Sequence, residues 1–128
     1  MLDKSFAREF AADWIESWNS HDLDRVLAHY TDDFQMSSPL IAQIAGEPSG
    51  KLKGKKAVGA YWAKAMSLNP NLHFELANIL VGAHSVTIYY KSSRGMSAEV
   101  LVFGEGEKDT GKVVEAFAHY AANDSAKG

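Results

Sequence analysis

Phe6, Phe10, Trp14 and Trp18 recur every fourth residue, with Ala7, Ala11 and Ile15 beside them. Residues 3 to 18 thus carry one apolar stripe at helical spacing, with Asp3 placed as the N-cap. The polar run at 19–22 breaks the stripe. Asp22 stands where it can cap a second helix whose apolar face is Leu23, Val26, Leu27 and Tyr30. Two helices joined by so short a connection are expected to pack together. A short strand over 34–38 follows and ends in Ser37-Ser38-Pro39. Residues 39–54 hold two prolines and three glycines and read as a long loop with room for a small hairpin. Ala57, Val58, Tyr61, Trp62, Ala65 and Met66 then form a third amphipathic helix, stopped by Asn69-Pro70-Asn71.

Beyond residue 71 the period changes to two. Leu72, Phe74 and Leu76 share one parity, and Ile79 and Val81 the other. A bulge near Ala77-Asn78 would return all five to one face and bend the strand. The segments SVTIYYKS (85–92), MSAEVLVFGE (96–105) and KVVEAFAHYA (112–121) follow, separated by turn-rich residues. Four strands with short turns predict an antiparallel meander. Helices first and strands after give an α+β, cone-shaped fold. Three N-terminal helices pack on the concave face of a strongly bent, mainly antiparallel sheet, with a pocket at the open end. The whole chain, 1–128, reads as a single domain with its core over about 5–121 and a tail at 122–128.

Composition narrows the function. A net charge of −3 and a pI near 5.9 are poorly suited to neutralising phosphates, so no nucleic-acid partner is expected. The absence of cysteine excludes disulfides, thiolate metal sites and a cysteine nucleophile. Residues 1–14 mix acids with apolar residues, so neither a signal peptide nor a membrane span is predicted, and a cytoplasmic location is expected.

The element order, together with WNSHDLDRVLAHYTDDF (18–34) and the following SSP, resembles the nuclear transport factor 2-like superfamily, whose fold is also called cystatin-like. The nearest branch is that of the SnoaL-like (polyketide-cyclase-like) and ketosteroid-isomerase-like proteins. The resemblance spans about residues 5–121. It implies the fold more than an activity, since this scaffold hosts isomerases, cyclases, dehydratases and non-enzymatic binders. In the isomerases the general base is an aspartate directly before the proline, and that position here is Ser38. The two tyrosine positions of the isomerase site correspond to Trp14 and Trp62, and its protonated aspartate to about Phe103. A serine hydroxyl is too weak a base to act unaided, and an indole N–H donates a hydrogen bond without exchanging its proton. The resemblance therefore implies a pocket without the isomerase mechanism.

Glu99 is the candidate catalytic group. By parity it shares a face with Leu101 and Phe103, the face that the resemblance turns inward. Burial there would raise its pKa and suit it to acid/base work; on the outer face it would be a solvated or contact residue. Trp14, Met36, Ser38, Trp62, Leu101 and Phe103 are the expected ligand-binding set, with Ser38 hydrogen-bonding a ligand or water. The five histidines lie in separate elements and no H-E-x-x-H occurs, so neither a metal nor a cofactor is expected. Lys51, Lys53, Lys55 and Lys56 read as a solvated rim, since their spacing fails the phosphate-binding loop pattern. Three readings remain. One is a lyase, isomerase or hydrolase acting on a small, largely apolar molecule through Glu99. The second is a non-catalytic binder of such a molecule, and the third an interaction module. The convex sheet face, with Phe117 and His119, is the expected homodimer surface.

Overall fold

The computed structural model describes residues 1–106 and 111–122. The expected tail lies outside the described residues from residue 123 onward, as does the centre of the turn before the last strand. Helix α1 (Lys4–Asn19) starts where Asp3 accepts a hydrogen bond from the Phe6 amide at 2.7 Å, and it buries Ala7, Phe10, Ala11, Trp14 and Trp18. Helix α2 (Leu23–Leu27) is capped in the same way by Asp22. It is one turn and a half long, because the chain becomes extended at Tyr30. Strand β1 is accordingly Tyr30–Ser37, four residues longer at its start than the apolar pattern indicates. Asp32 and Asp33 interrupt its pairing: the register slips between Tyr30 and Gln35, leaving both aspartates exposed at a bulge.

The segment after β1, expected to be a long loop with room for a small hairpin, holds a helix and a strand. Ser38 caps helix α3 (Pro39–Ile44), accepting from the Leu40 amide at 3.1 Å, with proline at the first helical position, where its missing N–H costs nothing. Strand β2 (Lys51–Lys53) returns antiparallel beside β1, completing the small hairpin. Gly50 has φ +71°, and a Cβ there would come within 3.2 Å of the Ser38 carbonyl, so this return requires glycine. Helix α4 (Lys55–Leu68) buries Val58, Tyr61 and Trp62.

Strands β3 (Glu75–Val81), β4 (Ser85–Ser92), β5 (Gly95–Phe103) and β6 (Val113–Tyr120) form the meander. The sheet order is β2-β1-β6-β5-β4-β3, antiparallel except where β1 runs parallel to β6. The β3 register slips between Leu76 and Asn78, which places Leu76, Ile79 and Val81 opposite Tyr90, Ile88 and Val86. Residues 72–74 lie before the strand, and side chains hold them to the end of α1 and the turn after it. The Asn19 amide donates to the Phe74 carbonyl at 2.9 Å and accepts from its N–H at 2.7 Å. That clamp fixes Phe74 over the end of α1. The helices cover the face formed by Val86, Ile88, Tyr90, Glu99, Leu101, Phe103, Ala116 and Ala118, all buried.

Candidate functional site

Between α1, α4 and the concave sheet face lies a cavity of about 310 Å³. This is at the lower end of the range for small-molecule sites, about 300–1,000 Å³. Its walls are aromatic: Trp14 stacks on Phe74 with centroids 5.9 Å apart, Trp18 meets Trp62 edge-on at 5.2 Å, and Phe74 packs on Tyr90 at 4.5 Å. Polar groups enter from several elements, with Tyr90 on β4 and Glu99 on β5 among them. Tyr61 comes from α4 and Tyr120 from the end of β6, and Ser92, Ser93 and Arg94 come from the β4–β5 turn. The lining thus combines aromatic walls with several polar groups, rather than being apolar throughout.

Glu99 is on this lining. It is 5 % exposed, and the Tyr90 hydroxyl donates to its Oε2 at 3.2 Å. The strand register explains the meeting: Tyr90 lies opposite Ser97, one inward step along β5 from Glu99. Burial raises the Glu99 carboxyl from its ordinary value to about 7, and the Tyr90 hydrogen bond offsets part of that rise. The three cavity phenols move the opposite way in function. Burial pushes Tyr61, Tyr90 and Tyr120 above the ordinary phenol value, and the Glu99 charge adds to each rise. At neutral pH they are therefore hydrogen-bond donors and not bases.

Trp14, Met36 and Trp62 also line the cavity. The Trp14 indole is already engaged, donating from Nε1 to the Tyr30 hydroxyl at 2.9 Å, so it presents a ring face and no free donor. Three of the expected ligand-binding residues lie elsewhere. Ser38 is buried as the α3 cap, and its hydroxyl holds down the rise of the Tyr61 and Tyr120 phenols. Leu101 shares the inward parity of Glu99 but is fully buried one step further along β5. Phe103 is two steps along, packed edge-on against Phe6 at 5.3 Å and Phe10 at 4.9 Å. Inward parity marks a side chain as facing the helices, and at that end α1 fills the space. A second, more open hollow of about 510 Å³ runs between α3, the β2 loop and β6, past Ser38, Phe117 and His119. Glu99 is absent from it. No cluster of three or more His, Asp or Glu side chains fit to hold a metal occurs among the described residues.

Tyr61, Tyr90, Tyr120 and Arg94 were not singled out by sequence reasoning. The tyrosines read as ordinary core positions at helical or strand spacing. Arg94 sits in a turn, where nothing in the local pattern tells a solvated residue from a cavity residue.

A SnoaL-like domain family matches residues 11–124, nearly the whole chain. The protein belongs to the SnoaL-like family. It is similar to a SnoaL-like protein of unknown function from Burkholderia thailandensis E264, at 50% identity and a TM-score of 0.86, over 94% of this chain and 98% of that one. More distant likenesses show the fold. One is an NTF2-like protein of unknown function from Burkholderia pseudomallei K96243, at 14% identity and TM-score 0.72, covering 95% of each chain. Another is a protein with a ketosteroid isomerase-like fold from Catenulispora acidiphila DSM 44928, solved with trimethylamine. It is 12% identical with TM-score 0.71, over 91% of this SnoaL-like chain and 88% of that one. No curated protein matches the chain at a significant level.

Proposed function

We propose that the cavity takes a small molecule with a largely apolar body and that Glu99 works on it as a general acid/base. The observation that carries this reading is a buried cavity-lining carboxyl with its pKa near 7 and a single tyrosine hydroxyl bonded to it. A group poised near the working pH can both take and return a proton. In the step that fits the lining, ionised Glu99 takes a proton from a carbon next to a carbonyl. The electron pair moves onto the carbonyl oxygen, and a phenol of Tyr61 or Tyr120 supports that charge by hydrogen bonding. In a β,γ-unsaturated substrate, returning the proton to the γ-carbon moves the double bond and isomerises it; expelling a β-substituent with its electron pair makes the enzyme a lyase. The steroid isomerase route is not part of the proposal, because Ser38 is a helix cap, Trp14 is bonded to Tyr30, and Phe103 lies outside the cavity.

The convex face is proposed to meet a second copy of the chain. Leu80, Val100 and Phe117 lie in register across it through Thr87, and Leu80 is 58% exposed. Sedimentation velocity at micromolar concentration should show a dimer, and a monomer would overturn this part.

The chemical test uses 2-tetralone, a small apolar ketone with acidic C–H bonds. Deuterium exchange into its α-carbons, followed by NMR, should be faster with the wild-type protein than with buffer and should fall to background in Glu99→Gln. Equal exchange by both proteins would overturn Glu99 as the base. Retained ketone binding with no exchange in either would favour a non-catalytic binder using the same cavity.

A further inference from the structure

Glu99 is the one acid on the cavity lining among the described residues, and Arg94 the one strong base. They differ in depth. Arg94 is in the β4–β5 turn at the solvent side and is itself exposed, whereas Glu99 is five residues along β5 and buried. At ~3.3 Å per residue the two backbones are roughly 16 Å apart, of which the arginine side chain spans only part. The two charges do not neutralise each other. The Arg94 guanidinium holds down the rise of Tyr61 and Tyr120, while the Glu99 charge adds to it. Both charges therefore act on Tyr61 and Tyr120, which stand within reach of the guanidinium and of the carboxyl.

Among the described residues no carboxylate comes within ion-pair distance of Arg94; the four ion pairs involve Arg25, His29 and Lys55. At the cavity lining the Arg94 guanidinium thus has no acid partner among the described residues. Its backbone is held in place. The Arg94 amide donates to Ser92 Oγ at 3.2 Å, the Ser92 hydroxyl donates to the Gly95 carbonyl at 3.4 Å, and Gly95 closes the turn at φ +97°, which favours glycine. Ser92 and Ser93 line the same rim and add hydroxyl donors next to the guanidinium. Arginine presents a planar fork of N–H groups that matches a carboxylate with two parallel hydrogen bonds.

We infer that Arg94 receives a carboxylate at the mouth, so that the substrates of this protein are carboxylic acids with an apolar, ring-sized body and a reacting end opposite the acid group. This rests on the cavity reading above and narrows it to a substrate class. The carboxylate stays in the wet mouth, where it keeps partial hydration. The apolar body lies between Trp18, Trp62 and Phe74, and the far end reaches Glu99. Putting the substrate charge at the mouth also keeps it from the buried carboxyl, whose ionisation a second nearby negative charge would oppose.

The probes are 2-naphthoate and its neutral isostere 2-naphthamide, compared by isothermal titration calorimetry on the wild type, Arg94→Gln and Trp62→Ala. The wild type should bind naphthoate about fivefold more tightly than naphthamide at low ionic strength, the modest size reflecting an exposed cation. Salt should narrow that difference. Arg94→Gln should weaken naphthoate by about the same fivefold and leave naphthamide unchanged, whereas Trp62→Ala should weaken both. Equal affinity for the two probes in the wild type, or an Arg94→Gln that affects neither, would overturn carboxylate recognition while leaving the cavity reading in place. Failure of both probes to bind the wild type would overturn the cavity reading, and the substrate class with it.

Discussion

The concave face has two ends built from the same two elements, and they differ in what fills them. At one end, Phe6 and Phe10 of α1 close onto Phe103 of β5 in edge-to-face contact, and His29 packs on Phe10 at 5.0 Å. At the other, Trp14 and Trp18 of the same helix stripe stand back from Glu99 of the same strand face and leave a cavity. Along β5 the inward residues run Phe103, Leu101, Glu99, Ser97, from solid packing to a hollow with a carboxyl in it. Two hydrogen bonds from Asn19 tie Phe74, one wall of the hollow, to the end of α1 before β3 begins. The closed end therefore supplies cohesion. The open end accepts a buried titrating group, which costs stability and gives chemistry.

Substitutions at the two ends should separate these contributions. The largest effect on stability belongs to the closed end. Phe103→Ala removes a fully packed ring and should destabilise the fold by about 3–5 kcal/mol, read from chemical denaturation, while 2-naphthamide affinity changes little in whatever fraction stays folded. If Phe103→Ala instead weakened the probe severalfold at full folding, the two ends would be one site.

Glu99→Gln should act in the opposite direction and only at higher pH. The native carboxyl has its pKa raised from the ordinary value of 4.5 to about 7, so the unfolded chain releases this proton first. Wild-type stability should therefore fall between those two pH values and level off above them, by about 3 kcal/mol in all. Glutamine lacks the titration, so the variant should gain on the wild type as pH rises through that window. A constant difference at every pH would mean that Glu99 is not the titrating group.

Smaller effects probe what holds the open end. Asn19→Ala frees both hydrogen bonds to Phe74 and should cost about 1–3 kcal/mol. It should also raise the hydrogen-exchange rate of the Phe74 amide, which a purely global loss of stability would not single out. Ser38→Ala removes the α3 cap and should cost about 1 kcal/mol. It should also shift the titration of Tyr61 and Tyr120 upward, because the serine hydroxyl lowers both. Unchanged tyrosine titration would leave Ser38 as a cap and nothing more.

Local pattern was enough for much of the fold. The four-residue spacing from Phe6 to Trp18 specified α1, Asp3 and Asp22 specified two helix starts, and the parity break at Ala77-Asn78 specified the β3 bulge. Each of these is enforced by neighbours within a few residues, so the sequence records it directly. Residues 39–44 were legible in principle, since serine followed by proline is a helix-start signature, but the prolines and glycines around them read as loop. Asp32 and Asp33 concealed the first half of β1, because charged residues suit a turn as well as they suit a bulge.

The site divides along the same line. Parity alone put Glu99, Leu101 and Phe103 on one inward face, since alternation along a strand is fixed by its backbone. Which of the three meets a cavity depended on where α1 comes close and where it stands off. That is a matter of packing between elements roughly a hundred residues apart in sequence. The pairing of Tyr90 with Glu99 depended on strand register, and the approach of Tyr61, Tyr120 and Arg94 on the sheet's curvature around the helices. Local sequence could fix which way each side chain points. Only the assembled tertiary structure could decide what it finds there, because the space left between packed elements belongs to no single stretch of chain.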